Sequence, residues 1–305
     1  FDYLPDTESN RAMIQRLRPA LERYRSIGVR IEDVYIFDDD GVERVSAAIL
    51  GAQEVQAMYL GDRLGWYRAL ADRGPLTSVE LAEATGSDER YAREWLEHQA
   101  AAAYLTVDDV QAGPQERRFA LPAAHATVLT DEDSLAYLAP LARAVAGFGR
   151  SVGELAEAYR TGGSVSWDDL GDDGREGQAA ANRPLFLHAL GQELLPQAPE
   201  VHARLQRAAR IADVGCGFGW STIGLARAYP TASAHGIDLD EASIRQAQAI
   251  AEREGLADRV TFANANAGVD SPRVQELVPN LRNGHQLLAA RERDVALVEQ
   301  VASTA

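Results

Sequence analysis

The chain has 305 residues, of which 46% are hydrophobic and 25% charged, a profile that suits a folded protein of two domains. Its net charge of −16 argues against nucleic acid and anionic membranes as partners. No apolar run approaches the roughly 20 residues that span a bilayer, and the polar start, FDYLPDTESNR, is unlike a signal peptide. The single cysteine, Cys216, excludes an intramolecular disulfide and fits a reducing, cytoplasmic compartment.

The N-terminal part of the chain divides into two segments. Residues 1–40 contain a helical pattern and an apolar run, VRIEDVYIF, to which we assign no role. From Val42 a helical pattern follows, with a break expected near Gly61, and two strands, YLTVDD and RRFALP, come after further helices. Helices followed by a two-stranded wing predict a mainly α winged-helix domain over residues 41–130.

Short polar signals set the helix boundaries in this domain. Thr77 or Ser78 is expected to cap a short helix, with Glu80 at the capping-box position. Gly86 should end that helix, and Ser87 should open the next one. This next helix, SDERYAREWLEH, has four acids and two arginines. A helix that enters the DNA major groove should be net basic, so its charge argues against DNA binding.

Residues 131–204 are predicted to form a helical linker, interrupted by a loop at 161–177, which holds five glycines and five acids. From Arg210 the pattern changes. Three short apolar strands, RIADVG, SAHGIDLD and RVTFANA, alternate with helical runs. This alternation predicts an α/β fold with a Rossmann-like, doubly wound parallel sheet over residues 205–305.

Three glycines, Gly215, Gly217 and Gly219, lie between the first of these strands and its helix. In such a sheet the ligand lies beyond the carboxyl ends of the strands, and glycine lets it approach the backbone. The spacing is neither G-x-G-x-x-G nor a phosphate-binding P-loop. Asp213, at the strand end, would repel a pyrophosphate and suits a cationic ligand.

A second carboxylate, Asp238, ends the next strand. It can accept hydrogen bonds from both hydroxyls of a ribose. The two acids together predict a nucleoside ligand that carries a positive charge and no phosphates. S-adenosylmethionine has these properties, and no spacing of the six histidines predicts a metal site.

The motifs D-V-G-C-G-F-G and G-I-D-L-D resemble motif I and the ribose acid of class I S-adenosylmethionine-dependent methyltransferases. The resemblance implies that Asp213 and the loop from Gly215 through Cys216 to Gly219 line the methionine and sugar. It also implies that Leu239 packs on the adenine. The third strand of these enzymes usually ends in an acid that receives the adenine amino group. Asn266 stands at the matching position here, and its carbonyl can accept the same bond.

With its winged helix, the chain is similar to bacterial methyltransferases that resemble small-molecule O-methyltransferases. This resemblance implies a homodimer formed through the winged helix, a small-molecule acceptor, and an acceptor pocket bordered by residues 131–204. The run DVALVEQVAS could be a fourth strand or a helix. In either case the sheet lacks its final strands, where the catalytic residues of such enzymes lie, so the catalytic residues are unassigned. The first residue, Phe1, also suggests a fragment.

Several residues have alternative interpretations. Asp240 is expected to cap the following helix, Cys216 to pack within the loop, and His188 to be structural, with a catalytic role as its alternative. Two other functions stay open beside methyl transfer to a small molecule. One is a winged-helix transcriptional regulator with a nucleoside-sensing domain, and the other is an inactive, truncated remnant.

Overall fold

The structure is a computed structural model, and it describes residue 15 and residues 40–266 and 295–299. Apart from residue 15, the helical pattern within residues 1–40 lies outside the described residues, as do the ends of the run 294–303. The chain divides into two compact units between Asp131 and Glu132. The domain boundaries given above at residues 40, 130 and 204 stay predictions.

The first unit has the winged-helix arrangement that the sequence predicts. Its two strands pair antiparallel, with Val107 opposite Phe119, and Phe119 also bridges to Leu76. Its elements in chain order are α1 (Asp40–Arg63), α2 (Trp66–Arg73), α3 (Ser78–Thr85), α4 (Glu89–Ala101), β1 (Thr106–Val107), β2 (Phe119–Ala120) and α5 (Ala123–Leu129).

The first helical segment breaks at Gly65, which agrees with the break predicted near Gly61. Gly65 has a positive φ of 71°, whereas Gly61 lies inside α1 against the aromatic core. A Cβ at Gly61 would come within 2.4 Å of the Trp95 ring and 2.6 Å of the Tyr67 ring. The glycine therefore allows α1 to approach these rings, which pack edge to face with centroids 5.0 Å apart.

The caps of α3 follow the sequence signals closely. Thr77 is the N-cap, and it exchanges hydrogen bonds with Glu80 in a capping box. Gly86 ends the helix in the left-handed conformation. The prediction that Ser87 opens α4 was wrong, because the Asp88 side chain is the cap that accepts from the first-turn backbone.

The second unit contains a four-stranded parallel sheet in the order β5-β4-β3-β6, which confirms the predicted Rossmann-like class. Its first elements are α6 (Ala139–Arg150), α7 (Val152–Thr161), α8 (Trp167–Pro184), a π-helix (Leu185–Leu194), a 3₁₀ turn (Leu195–Gln197) and α9 (Pro199–Leu205). The remainder are β3 (Arg210–Val214), α10 (Trp220–Ala228), β4 (Ser233–Asp238), α11 (Glu241–Arg253), β5 (Val260–Asn264) and β6 (Val295–Glu299).

The run that could be a strand or a helix contains strand β6. It lies parallel to β3, with Arg210 opposite Val295 and Val214 opposite Glu299. The pairing gives β3 a hydrogen-bonding neighbour on each side, since β4 lies along its other edge. Such pairing satisfies backbone groups that a central strand cannot expose to water.

The predicted loop at 161–177 was wrong for most of its length, because α8 begins at Trp167. Ser166 and Asp169 form a capping box at its start, and acids in a first turn suit the helix dipole. Gly171 has a φ of 67° and kinks the helix. Gly177 instead lies against α6, where a Cβ would come within 2.4 Å of a backbone nitrogen.

Glycines also bring the π-helix close to α10. A Cβ at Gly224 would lie 2.1 Å from the carbonyl oxygen of Phe186, and one at Gly191 would lie 2.2 Å from the Ala228 Cβ. This contact fixes the helix that follows the glycine loop.

Among residues 40–266 and 295–299, no helix combines the length and hydropathy that a membrane crossing requires.

Candidate functional site

The three glycines of the loop between β3 and α10 all have positive φ, at 76° for Gly215, 52° for Gly217 and 78° for Gly219. A Cβ added to Gly215 or Gly217 would meet nothing within 4 Å. One added to Gly219 would lie 2.5 Å from the Phe262 ring and 3.1 Å from the Ala247 Cβ. The first two glycines therefore form an open backbone surface, and the third allows tight packing.

Asp213 is buried below this loop at the end of β3, with 1% of its surface exposed. Its Oδ2 accepts hydrogen bonds from the hydroxyls of Ser221 and Thr222, each at 2.6 Å. Its Oδ1 is buried and has no hydrogen-bond partner among the described residues. Desolvation raises the pKa of the carboxyl, and the two hydroxyls oppose that rise. Asp213 thus fixes the start of α10. A cation nearby would offset the free-energy cost of burying the ionised carboxylate.

Asp238 lies half-buried at the end of β4 and binds the glycine loop directly. Its Oδ2 accepts the backbone N–H of Gly217 at 2.8 Å, and its Oδ1 accepts that of Asp240 at 2.9 Å. A carboxylate has about four acceptor positions, so each oxygen retains one for another donor. The next side chain, Leu239, is 70% exposed, which leaves an apolar surface beside the carboxylate.

Asn264, at the end of β5, is a site residue that the sequence analysis missed. Its Nδ2 donates to the carbonyl oxygens of Asp238 at 3.1 Å and of Leu239 at 2.7 Å. It therefore fixes the backbone that carries both side chains. Asn266, the predicted adenine acceptor, is partly buried two residues further on. The alternating asparagines of ANANAG are the signal that could have indicated both positions.

Cys216 packs inside the loop. Its side chain is buried, and a Cβ on Gly236 would come within 2.8 Å of its Sγ. Burial raises the pKa of the thiol, with the charges of Asp213 and Asp238 adding to the rise. A buried thiol with a raised pKa is a poor nucleophile, so the packing interpretation fits the structure.

A cavity of about 430 Å³ lies in the second unit, between α6, α8, α10 and α11. Phe218 of the glycine loop lines it, together with Trp220 and Arg183. The Arg183 guanidinium carbon lies 5.1 Å from the centre of the Trp220 ring, within range of a cation–π interaction. The loop therefore contributes side chains to this cavity and, at Gly215 and Gly217, bare backbone to an open surface.

His188 lies on the π-helix, 43% exposed, with its Nε2 3.1 Å from Oδ1 of Asp133. Arg183 donates to the same carboxylate oxygen at 2.8 Å. Hydrogen bonds from these two side chains lower the pKa of Asp133. The contacts fix His188 on the surface of the second unit, and its catalytic role stays an open alternative.

The residues at the ends of β3, β4 and β5 fit S-adenosylmethionine. The open backbone at Gly215 and Gly217 can admit the ligand, and Asp238 has free acceptor positions for two hydroxyls. Leu239 has an exposed apolar surface of the kind on which a flat base packs, and Asp213, with one buried oxygen that lacks a hydrogen-bond partner among the described residues, suits a positive charge nearby. No phosphate-binding feature accompanies them in the described loop.

Comparison with known protein families finds a match within each of the two units. Residues 55–131 match the family described as Rv2258c-like winged HTH domain, and residues 211–276 match the family described as methyltransferase domain. The chain therefore contains a winged-helix domain followed by a Rossmann-like methyltransferase domain.

Several known proteins are similar to parts of the chain. Trans-aconitate 2-methyltransferase of Afipia carboxidovorans is 45% identical over 75 residues, which are 25% of this chain and 25% of that protein. The structure of mitomycin 7-O-methyltransferase MmcR is 24% identical, with a TM-score of 0.55 over 76% of this chain and 68% of that one. Human N-acetylserotonin methyltransferase in complex with SAM is 18% identical, with a TM-score of 0.51 over 78% and 69% of the two chains. The match to the curated relative thus spans a quarter of its length, and the two structures share the fold.

Proposed function

We propose that the chain binds S-adenosylmethionine at the ends of β3, β4 and β5 and transfers its methyl group to an oxygen of a small molecule. The observation that carries the proposal is the open backbone of Gly215 and Gly217 beside the Asp238 carboxylate. The methyltransferase family match over residues 211–276 supports the reaction. The two structural relatives, a 7-O-methyltransferase and a SAM complex, support the choice of oxygen and of cofactor.

The residues contribute to this reaction mainly by binding and orientation. When bound, S-adenosylmethionine supplies an electrophilic methyl group. Asp238 would hold the ribose, Leu239 would cover the adenine, and Asp213 would favour the cationic end. The cavity beside Phe218 is our candidate for the acceptor pocket. Methyl transfer gains most from holding the two reactants together. The acceptor oxygen would bond to the methyl carbon as the bond from sulfur to that carbon breaks, leaving S-adenosylhomocysteine. The hydroxyl proton would pass to solvent or to a base that we do not assign.

Replacing Asp238 with alanine is expected to weaken S-adenosylmethionine binding at least tenfold, since two charge-assisted hydrogen bonds to ribose are lost. The dissociation constants of the wild-type and D238A proteins would be measured by isothermal titration calorimetry. A matched control is Asp258→Ala, which removes an exposed acid in the turn before β5. Equal affinity in D238A and the wild type would contradict the ribose contact, and no binding by the wild type would contradict the proposed function.

The winged-helix contacts favour this proposal over a transcriptional regulator. Each arginine of α4 and the wing forms an ion pair within the first unit, at 2.8 to 3.2 Å: Arg90–Glu94, Arg93–Glu89, Arg117–Glu97 and Arg118–Glu80. Phosphate contacts would require these side chains to leave their partners. We therefore propose that the domain does not contact nucleic acid.

We further propose that the chain forms a homodimer in the cytoplasm. The lone cysteine fits a reducing compartment.

Exposed apolar side chains support the dimer. In the first unit, α1 exposes apolar side chains such as Val45 and Ile49. In the second unit, seven exposed apolar side chains alternate at spacings of three and four residues: Leu138, Leu141, Val145, Phe148, Val152, Leu155 and Tyr159. Within α6 and within α7 this is the heptad spacing of helices that associate, and a second copy would cover these apolar side chains.

Sedimentation velocity tests the dimer. The wild type is expected to sediment as a dimer, and Val145→Glu combined with Phe148→Glu is expected to sediment as a monomer with unchanged circular dichroism. The physical reason is that an interface cannot bury two unpaired charges. Glu157→Lys, which changes the charge of an exposed α7 residue outside the row, is the control. A wild-type monomer at micromolar concentration, or a dimeric double variant, would contradict this interface.

A further inference from the structure

A buried ion pair connects α8 to the start of α11. Nε and Nη2 of Arg175 donate to the two carboxylate oxygens of Asp240 at 2.9 and 3.0 Å. Both side chains are only 8% exposed. The guanidinium also contacts two exposed acids, Asp168 and, at 3.4 Å, Asp172. Two parallel bonds between a guanidinium and a carboxylate fix the orientation of both groups.

The Asp240 carboxylate is bonded on its own side as well. Its Oδ2 caps α11 by accepting the backbone N–H and the hydroxyl of Ser243, at 2.8 and 2.6 Å. Desolvation opposes ionisation, yet the hydrogen bonds from Arg175 and Ser243 hold the pKa of Asp240 below its usual value. The carboxylate is therefore charged and held between α8 and α11.

Asp240 in turn acts on the proposed ribose acid. Its backbone N–H donates to Oδ1 of Asp238 at 2.9 Å, and Oδ2 of Asp238 accepts the N–H of Gly217 at 2.8 Å. A continuous series of hydrogen bonds thus leads from Arg175 through Asp240 and Asp238 to the glycine loop. Residues joined in one network of this kind are energetically coupled.

We propose that Arg175 is a positioning residue for the cofactor, acting through Asp240 on the orientation of Asp238. Without the guanidinium, the buried carboxylate of Asp240 would lose its two bonds to α8 and would lie near the other acids that Arg175 contacts, Asp168 and Asp172. The Asp240 backbone would then shift, and the Asp238 oxygens would lose the orientation that the ribose hydroxyls require. This inference rests on the proposed function and extends it to a helix outside the cofactor surface.

A double-mutant cycle on cofactor affinity tests the inference. S-adenosylhomocysteine would be titrated calorimetrically into the wild type, R175M, D238A and the R175M/D238A double variant. R175M is expected to weaken binding about tenfold, the coupling typical of one hydrogen-bond network. The double variant should bind about as weakly as D238A, because Arg175 has no effect once Asp238 is gone. Independent, multiplicative losses would overturn the inference.

Two further variants separate positioning from folding. Arg259→Met removes a guanidinium that donates to the carbonyl oxygens of Ala226 and Ala232; it should lower the melting temperature and leave the affinity unchanged. Arg175→Lys keeps the charge without the two-pronged geometry, so it should fold and bind with an intermediate loss. If R175K bound with wild-type affinity, the inference would be wrong. It would also be wrong if R175M bound with wild-type affinity while D238A bound more weakly. Either result would leave the proposed function standing. No binding by the wild type would overturn the proposed function as well.

Discussion

Replacing Gly219 with alanine is expected to lower the free energy of unfolding by about 3 kcal/mol, whereas Gly217→Ala should lower it by about 1 kcal/mol. Both positions have a positive φ, so both variants carry the strain of a side chain in the left-handed region. Only at Gly219 does the added Cβ also overlap a neighbour, 2.5 Å from the Phe262 ring. Urea unfolding of the two variants and the wild type would measure the difference.

Cofactor affinity should depend on these glycines in the opposite order. At Gly217 an added Cβ would extend into open space, where the ligand is proposed to lie, so Gly217→Ala should reduce S-adenosylmethionine affinity more than Gly219→Ala does. The Phe262→Leu change removes the overlapping ring atoms, and adding it to Gly219→Ala should restore part of the lost stability. If Gly219→Ala and Gly217→Ala had equal stability, the packing role of Gly219 would be wrong.

The sequence predicted the local structure around the candidate site best where one short motif determines the backbone. The glycine loop, the two acids at successive strand ends, the Asp240 cap and the capping box at Thr77 all follow from short-range rules. In each case a neighbouring backbone amide or a positive φ requires one residue type. These features therefore need no knowledge of distant contacts.

The sequence-based predictions failed for residues whose conformation depends on contacts with distant parts of the chain. Strand β6 was left between strand and helix because its short apolar run suits both; pairing with β3 makes it a strand. The glycines of 161–177 were interpreted as loop residues, yet Gly177 serves the close packing of α8 on α6. The break predicted near Gly61 lies at Gly65, and the packing of Gly61 itself against Trp95 could not be predicted. Arg175 and Asn264 could not be assigned, since their partners lie on other elements.

Replacing Asp213 with alanine is expected to lower the free energy of unfolding by about 3 kcal/mol or more, because the buried hydroxyls of Ser221 and Thr222 lose their acceptor. Asp213→Asn keeps one acceptor oxygen and removes the titratable group, so its stability near neutral pH should lie within about 1 kcal/mol of wild type. Denaturant unfolding of the two variants would be compared with Ser221→Ala, which removes only one of the donors.

The pH dependence provides a second measurement on the same carboxyl. The unfolded chain loses this proton near pH 3.9, whereas burial in the folded protein raises the pKa of Asp213. Its contribution to stability is therefore complete below the unfolded pKa and is lost as the pH rises through the folded value. The unfolding free energy of wild type relative to Asp213→Asn should thus fall with rising pH above about 4. A difference independent of pH would contradict the burial of a titrating carboxyl beneath the glycine loop.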